Sequence, residues 1–348
     1  MTQPKKYINP KFQKTKKQSF TAIELYTLIK EGNKNGLSQA LSLAESTIQE
    51  DREIISEILK NFDSRTDSRR LAVTGPPGVG KSTLIDSWGS YLINIGSKVA
   101  ILAIDPASPE SGGAILGDKT RMERLTTQEN AYIRPSSSGA HLGGVAATTQ
   151  ESILLCELGG YDYIIVETVG VGQSELEVSN LVDMMMVVVQ PGSGDDLQGI
   201  KRGITELADA FIINKYDGNN KDIARQSAQQ INLAKTLLRK KAHQLSPKTL
   251  LYSSIGSGDE SKISDCVNEF FNIIESSGYK ESQRKDQLKW WYLKELDKRI
   301  LFLVKNLTTI EKLKTNLLFE IESKKLLPIE AVGIFEKELQ ELLREKNY

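Results

Sequence analysis

Eight consecutive residues, Gly75-Pro-Pro-Gly-Val-Gly-Lys-Ser82, have the types and spacing to grip a chain of phosphates. They follow a short apolar run that reads as a strand and open an amphipathic stretch that reads as a helix, the context that gives this pattern structural meaning. Glycines let backbone N–H groups wrap a β-phosphate, and the helix N-terminus adds its partial positive charge. Lys81 is expected to reach the β- and γ-phosphates and Ser82 to place its hydroxyl on magnesium, with Pro76, Pro77, Gly78, Val79, Gly80 and Thr83 completing the cradle. Pro76 stands where ATPases of the deviant-loop group carry a second lysine, which speaks against that group.

A second constellation, Asn214-Lys-Tyr-Asp217, lies about 140 residues further on at the end of another apolar run. The Asp217 carboxylate can accept both N1–H and the exocyclic amine of guanine, whereas adenine has no N1 proton and would leave a buried carboxylate facing a lone pair. That selects GTP over ATP. Lys215 is expected to lay its stem over the base, and Asn214 to tie this loop to the phosphate loop. A third segment, Ile164-Ile-Val-Glu-Thr-Val-Gly170, is an apolar strand ending in an acid, which puts Glu167 near magnesium and the Gly170 N–H near the γ-phosphate. Val171 stands where small GTPases place their water-orienting glutamine, so intrinsic hydrolysis is expected to be slow unless another group enters; Gln173 is within reach in sequence.

These loops need a scaffold that brings them to one edge. From Arg70 to about Ser254 short apolar runs alternate with amphipathic stretches, the signature of βαβ units around a parallel sheet. Expected strands are Leu71 to Thr74, Val99 to Ile104, Ala131 to Ile133, Tyr163 to Glu167, Met184 to Val189, Ala210 to Ile213 and Thr249 to Tyr252. Helices follow the loops at Lys81, Gly144, Glu175, Leu197, Asp222 and Lys262, so the fold class is α/β, a doubly wound, mainly parallel sheet with its ligand crevice at the strand C-termini. Two or three helices precede the sheet between Thr21 and about Phe62. After about Gly278 the pattern is helical alone, with Leu288, Trp291, Leu296, Ile300, Leu303 and Leu307 on one face and a later helix from Pro328. The expected partition is a mobile arm over 1–20, a helical extension over 21–65, a nucleotide domain over 66–278 and a C-terminal helical extension over 279–348. The apolar stripe of the last part is expected to pack on the core or on a second subunit.

With 348 residues and 39% apolar composition the chain can bury a full core. Lysine plus arginine and aspartate plus glutamate both total 45, so net charge argues for neither nucleic acid nor a membrane surface as main partner. No apolar run approaches the roughly 18 residues that span a bilayer, and the lysine-rich start lacks the apolar core of a secretory signal, so the cytoplasm is the expected location. Cys156 and Cys266 lie far apart within helical patterns and read as reduced core thiols.

Together with Asp105-Pro-Ala-Ser-Pro-Glu-Ser-Gly-Gly-Ala-Ile-Leu-Gly-Asp-Lys-Thr-Arg-Met122, Glu167-Thr-Val-Gly-Val-Gly-Gln-Ser-Glu175 and Gln190-Pro-Gly-Ser-Gly-Asp-Asp-Leu-Gln-Gly-Ile-Lys-Arg-Gly203, these motifs closely resemble the MeaB/ArgK family of GTPases over roughly residues 25 to 345. The resemblance implies Mg²⁺-dependent GTP hydrolysis and a chaperone role toward adenosylcobalamin-dependent methylmalonyl-CoA mutase or a related acyl-CoA mutase, gating cofactor loading and protecting the radical enzyme. It implies that Asp105 and Asp118 lie near magnesium in a first switch, that Glu167 opens the second, and that a third, from Gln190 to Lys201, can bring Gln198 or Lys201 toward the nucleotide. It also implies a homodimer through the C-terminal helices. The chain departs from the family at Tyr216, where alanine is common, and at Ser253-Ser254-Ile255-Gly256, which replaces the usual serine-alanine loop behind the base. Two other readings use the same phosphate loop. An ATP-dependent kinase must tolerate Asp217 opposite adenine and supply a base for its acceptor. A nickel-delivery GTPase needs soft ligand pairs, and this chain has only His141, His243, Cys156 and Cys266, dispersed.

Overall fold

The computed structural model describes residues 20–46, 48–62, 67–104, 122–135, 144–168, 174–192, 202–236, 240–255 and 259–345. Seven strands, β1 (Arg69–Thr74), β2 (Val99–Ile104), β3 (Ala131–Arg134), β4 (Tyr163–Thr168), β5 (Met184–Val189), β6 (Ala210–Ile213) and β7 (Lys248–Leu251), form one sheet in the order β3-β2-β4-β1-β5-β6-β7. Every pairing is parallel. A parallel sheet must be covered on both faces, and β2 and β5, Val-Ala-Ile-Leu-Ala-Ile and Met-Met-Met-Val-Val-Val, are accordingly buried at every position. All seven expected strands are present, and the chain is a doubly wound α/β protein. Strand order reverses around the central β1, which places the ligand crevice beyond its C-terminal end.

Side chains alternate between the two faces with the period of two that a strand imposes. Leu71, Val73, Ile101, Ile165 and Met186 enter a core with α4 (Lys81–Asn94) and a helix, α10, over Glu260–Ser276. Ala72, Ala100, Leu102, Ile164 and Val166 enter the opposite core, roofed by α1 (Ala22–Lys30), α2 (Lys34–Ala44), α3 (Gln49–Lys60) and α6 (Gly144–Leu158). The three N-terminal helices thus share the core of the sheet. Their starts are locally encoded: Thr21 and Glu24 form a reciprocal capping box on α1, and the Asn33 side chain accepts from Asn35 and Gly36 N–H on α2.

The remaining helices are α5 (Glu123–Thr126), α7 (Ser174–Ser179), α8 (Arg202–Leu207), α9 (Lys221–Lys235), α11 (Tyr279–Lys305), α12 (Thr308–Glu322) and α13 (Pro328–Glu345). The expected start at Leu197 lies outside the described residues. In the C-terminal part the structure has three helices, because α12 intervenes; Leu307 is its N-cap and does not belong to α11. Asn306 ends one helix and Leu307 begins the next while apolar residues keep helical spacing on both sides, so periodicity alone does not reveal the break. Trp290 packs against the core of the N-terminal helices, whereas Leu288, Leu296, Ile300 and Leu303 stay exposed.

One buried ion cluster bolts α11 to the sheet. Asp183, just before β5, accepts the Arg70 backbone N–H at 2.9 Å and Arg284 Nη2 at 2.7 Å, while Arg284 Nη2 also donates to the Ser68 carbonyl at 2.6 Å. Arg70 forms a fork with Glu157 of α6, both bonds at 2.8 Å. Burial alone would raise the Asp183 carboxyl, yet the charge and hydrogen bonds of Arg284, with Arg70 beside it, outweigh burial and hold it below the usual carboxylate range.

Candidate nucleotide-binding site

The loop from Gly75 to Gly80 leaves the end of β1 and turns directly into α4. Gly75 is obligatory, since at φ +146 a Cβ there would stand 2.1 Å from the Val188 carbonyl oxygen of β5. At Gly80, φ +94, a Cβ would meet Asn214 Nδ2 at 2.5 Å, so the glycine makes room for the base motif. Lys81, the first residue of α4, is buried, and its ammonium donates to the carbonyls of Gly75 at 2.7 Å and Pro76 at 3.0 Å. It therefore sits inside the loop.

Parallel pairing of Val73 with Glu167 brings the acid at the end of β4 beside the strand that feeds this loop. Ser82 Oγ donates to Glu167 Oε1 at 2.7 Å. A hydroxyl and a carboxylate converging at the mouth of a phosphate loop form an all-oxygen donor set, the kind a hard divalent cation takes. Directly behind them Thr168 Oγ1 donates to Thr74 Oγ1 at 2.8 Å, a buried tie between the two strand ends.

The base motif stands on the other side of β1. Asn214 Nδ2 donates to the Val79 carbonyl at 2.8 Å and the Lys215 ammonium to the Gly78 carbonyl at 3.0 Å, so both residues clasp the phosphate loop from the end of β6. Two hydroxyls from the end of β7 orient the motif in turn: Ser253 Oγ donates to Asp217 Oδ2 at 2.7 Å and Ser254 Oγ to Asn214 Oδ1 at 2.9 Å. Each carboxylate oxygen accepts two hydrogen bonds, so Ser253 fixes Asp217 while leaving lone pairs on both of its oxygens. Ile255 is 84% exposed and its N–H points back to Ser253 Oγ at 3.4 Å. Tyr216, the bulky departure, is accommodated: its ring packs against the core cluster of β5, β6 and α9 beneath Arg225, 5.9 Å from ring centroid to guanidinium.

Gly75, Pro76, Gly78, Val79, Gly80, Lys81, Ser82, Glu167, Asn214, Lys215, Asp217, Ser253 and Ser254 are thus linked through one network at the C-terminal edge of the sheet, and Pro77 and Thr83 lie within the same segment. Asp105, Asp118, Gly170, Gln173, Gln198 and Lys201 lie outside the described residues. Two contributors escaped the motif reading. Thr74 with Thr168 is visible only once β1 and β4 are paired, and Gln190, which the resemblance gives as the start of a third switch and not as part of the base site, accepts from Lys215 at 3.3 Å.

A parallel sheet with a phosphate loop after its central strand and an Asn-Lys-x-Asp motif clasping that loop defines the class of P-loop GTPases. Within that class, residues 37–309 match the family model described as methylmalonyl Co-A mutase-associated GTPase MeaB, and the chain belongs to this family. It is 40% identical over 282 residues to GTPase ArgK of Escherichia coli, covering 81% of this chain and 85% of that protein. Likewise it is 40% identical over 288 residues to the mouse protein named methylmalonic aciduria type A homolog, mitochondrial, covering 80% and 69%. A solved structure titled LAO/AO transport system kinase superposes with a TM-score of 0.70 at 30% identity, covering 92% of this chain and 97% of that one.

Proposed function

We propose that this GTPase binds Mg²⁺-GTP across the loop and motif just described, hydrolyses it to GDP and phosphate, and uses the cycle to serve an adenosylcobalamin-dependent methylmalonyl-CoA mutase or related acyl-CoA mutase. One observation carries the nucleotide part: Asn214 and Lys215 reach Val79 and Gly78 directly, so base pocket and phosphate cradle form one continuous site. The mutase is supported by the family description and by the name of the mouse relative. In this reading the protein gates cofactor loading and protects the mutase.

Ser82 and Glu167 are the described residues that would hold magnesium, with Asp105 and Asp118 as further ligands. Bound there, the ion would offset the negative charge of the nucleotide's phosphates. Lys81 adds a fixed positive charge to the same phosphates, and the backbone N–H groups of the loop and the α4 N-terminus hold them without reorganising. Gln173, Gln198 and Lys201 are the candidates for orienting the attacking water, since Val171 cannot. We assign 1–20 to an arm, 21–65 to the helical extension, 66–278 to the nucleotide domain and 279–348 to a homodimerisation extension, and place the protein in the cytoplasm. Among the described residues no helix is long and apolar enough to cross a membrane.

The nickel reading finds little chemistry here. The Leu245 N–H donates to His243 Nδ1 at 3.0 Å, so His243 Nε2 carries the proton and donates to Asp209 at 3.0 Å, which uses both ring nitrogens. Burial pushes the Cys266 thiol up to about 11 and Cys156 higher still, away from the thiolate a soft metal needs. The kinase reading meets Asp217. Replacing Asp217 with asparagine is expected to weaken GTP binding by about 100-fold, two hydrogen bonds to a charged acceptor being lost. The same variant should gain affinity for xanthosine triphosphate, whose C2 carbonyl can accept from the new amide. Calorimetry with GTP, ATP and xanthosine triphosphate checks both, and equal ATP and GTP affinity in the natural protein would overturn the guanine assignment.

For the partner, purified adenosylcobalamin-dependent mutase is expected to co-elute with the GTP-loaded chain and to raise its GTP turnover by about 10-fold or more, as docking that orders switch residues does. An unchanged rate together with the absence of a complex would sink the mutase assignment while leaving the GTPase intact.

A further inference from the structure

Beyond their last paired residues, β5 and β6 end level with each other. Val189 pairs with Ile213, so Gln190 and Asn214 are the next residues of neighbouring strands, and the Asn214 N–H donates to the Val189 carbonyl at 2.8 Å. One residue on, Lys215 takes φ +58, a left-handed conformation that a lysine adopts only when its surroundings hold it there. Its ammonium has two acceptors from two different loops: the Gly78 carbonyl at 3.0 Å and Gln190 Oε1 at 3.3 Å. Gln190 itself is anchored on both sides, by the paired strand before it and by Gly192, whose N–H donates to Ser227 Oγ of α9 at 3.2 Å.

We propose that Gln190 is a positioning residue for the guanine site: its carboxamide oxygen steers the Lys215 ammonium, and so the aliphatic stem that must lie along the base. The proposal rests on the assignment of Asn214 to Asp217 as the base motif. A lysine has four rotatable bonds and an otherwise diffuse position. Gly78 holds the ammonium from the phosphate loop, and a second acceptor from the end of β5 narrows the directions open to the stem. An amide oxygen does this without neutralising the charge.

The test compares release of a fluorescent GDP analogue from the full chain and from Gln190→Leu, Gln190→Glu, Lys215→Met, the Gln190→Leu/Lys215→Met double variant and Asp217→Asn. Gln190→Leu is expected to speed release by about 5-fold, the loss of one exposed hydrogen bond to a cation. Gln190→Glu, which keeps an acceptor, should stay within about twofold of the natural protein, and Gln190→Leu should add nothing once Lys215 is methionine. Unchanged release in Gln190→Leu, or an equal acceleration with and without Lys215, would overturn the proposal. Asp217→Asn reports separately on the base motif: if it binds guanine nucleotide as the natural protein does, the underlying assignment is wrong, whereas a large loss there beside an inert Gln190→Leu removes only the positioning role.

Discussion

Replacing Lys81 with alanine is expected to lower GTP turnover by about 100- to 1,000-fold, the usual cost of deleting one preorganised charge at the reacting group. The side chain is buried and its ammonium already sits between the Gly75 and Pro76 carbonyls, so its position is fixed by the loop and needs no rearrangement beyond exchange of those acceptors for phosphate oxygens. That exchange is favourable because a phosphate oxygen carries charge and a carbonyl carries only a dipole. Arginine should fail to rescue, since a planar fork does not fit a space closed by Gly75, which itself lies too close to Val188 to yield. Phosphate release at saturating GTP measures the effect, and a melting temperature near that of the natural protein shows that the loop still folds. Turnover at the natural rate in Lys81→Ala would mean that these glycines hold something other than the triphosphate.

The sheet and the phosphate loop are legible in the sequence because each is specified locally. β2 and β5 are short and wholly apolar, which a two-sided buried strand demands, and the loop needs glycine where neighbouring backbone leaves no room, as at Gly75 against Val188. Capping residues such as Thr21 and Glu24 act over three positions and can be read the same way. What escaped depends on pairing distant segments. Asp183 meets Arg284 across about 100 residues, and Ser254 reaches Asn214 across about 40, so neither partner implies the other before the strands are ordered. Gln190 belongs to this second kind: it becomes a contact of Lys215 only because Val189 and Ile213 are in register. The division between α11 and α12 escaped for a different reason, since a helix break that keeps apolar spacing on both sides leaves periodicity unchanged.

Asparagine at position 183 is expected to destabilise the fold by about 3–5 kcal/mol at neutral pH, the cost of removing one partner from a buried ion pair. Two cations, Arg70 and Arg284, face two carboxylates, Glu157 and Asp183, in this cluster, with Arg284 Nη1 also 3.6 Å from Glu157. Without Asp183 the two guanidinium groups are left with Glu157 as the one carboxylate of the cluster, and the tie between β1, β5 and α11 is cut together with it. The pH dependence follows from the direction of the shift. A carboxyl held below its usual range in the folded state is more easily ionised there than in the unfolded chain, so its contribution is complete above the ordinary aspartate pKa of about 3.9 and disappears as pH falls through the lower folded value. The stability gap between the natural protein and Asp183→Asn should therefore be constant from neutral pH down to about pH 5 and close in stronger acid. Urea unfolding of both proteins at neutral and acid pH reads the gap directly, and a gap that is absent at neutral pH, or that widens in acid, would show that Arg284 is held by its other contacts and that the cluster does not secure the C-terminal helices.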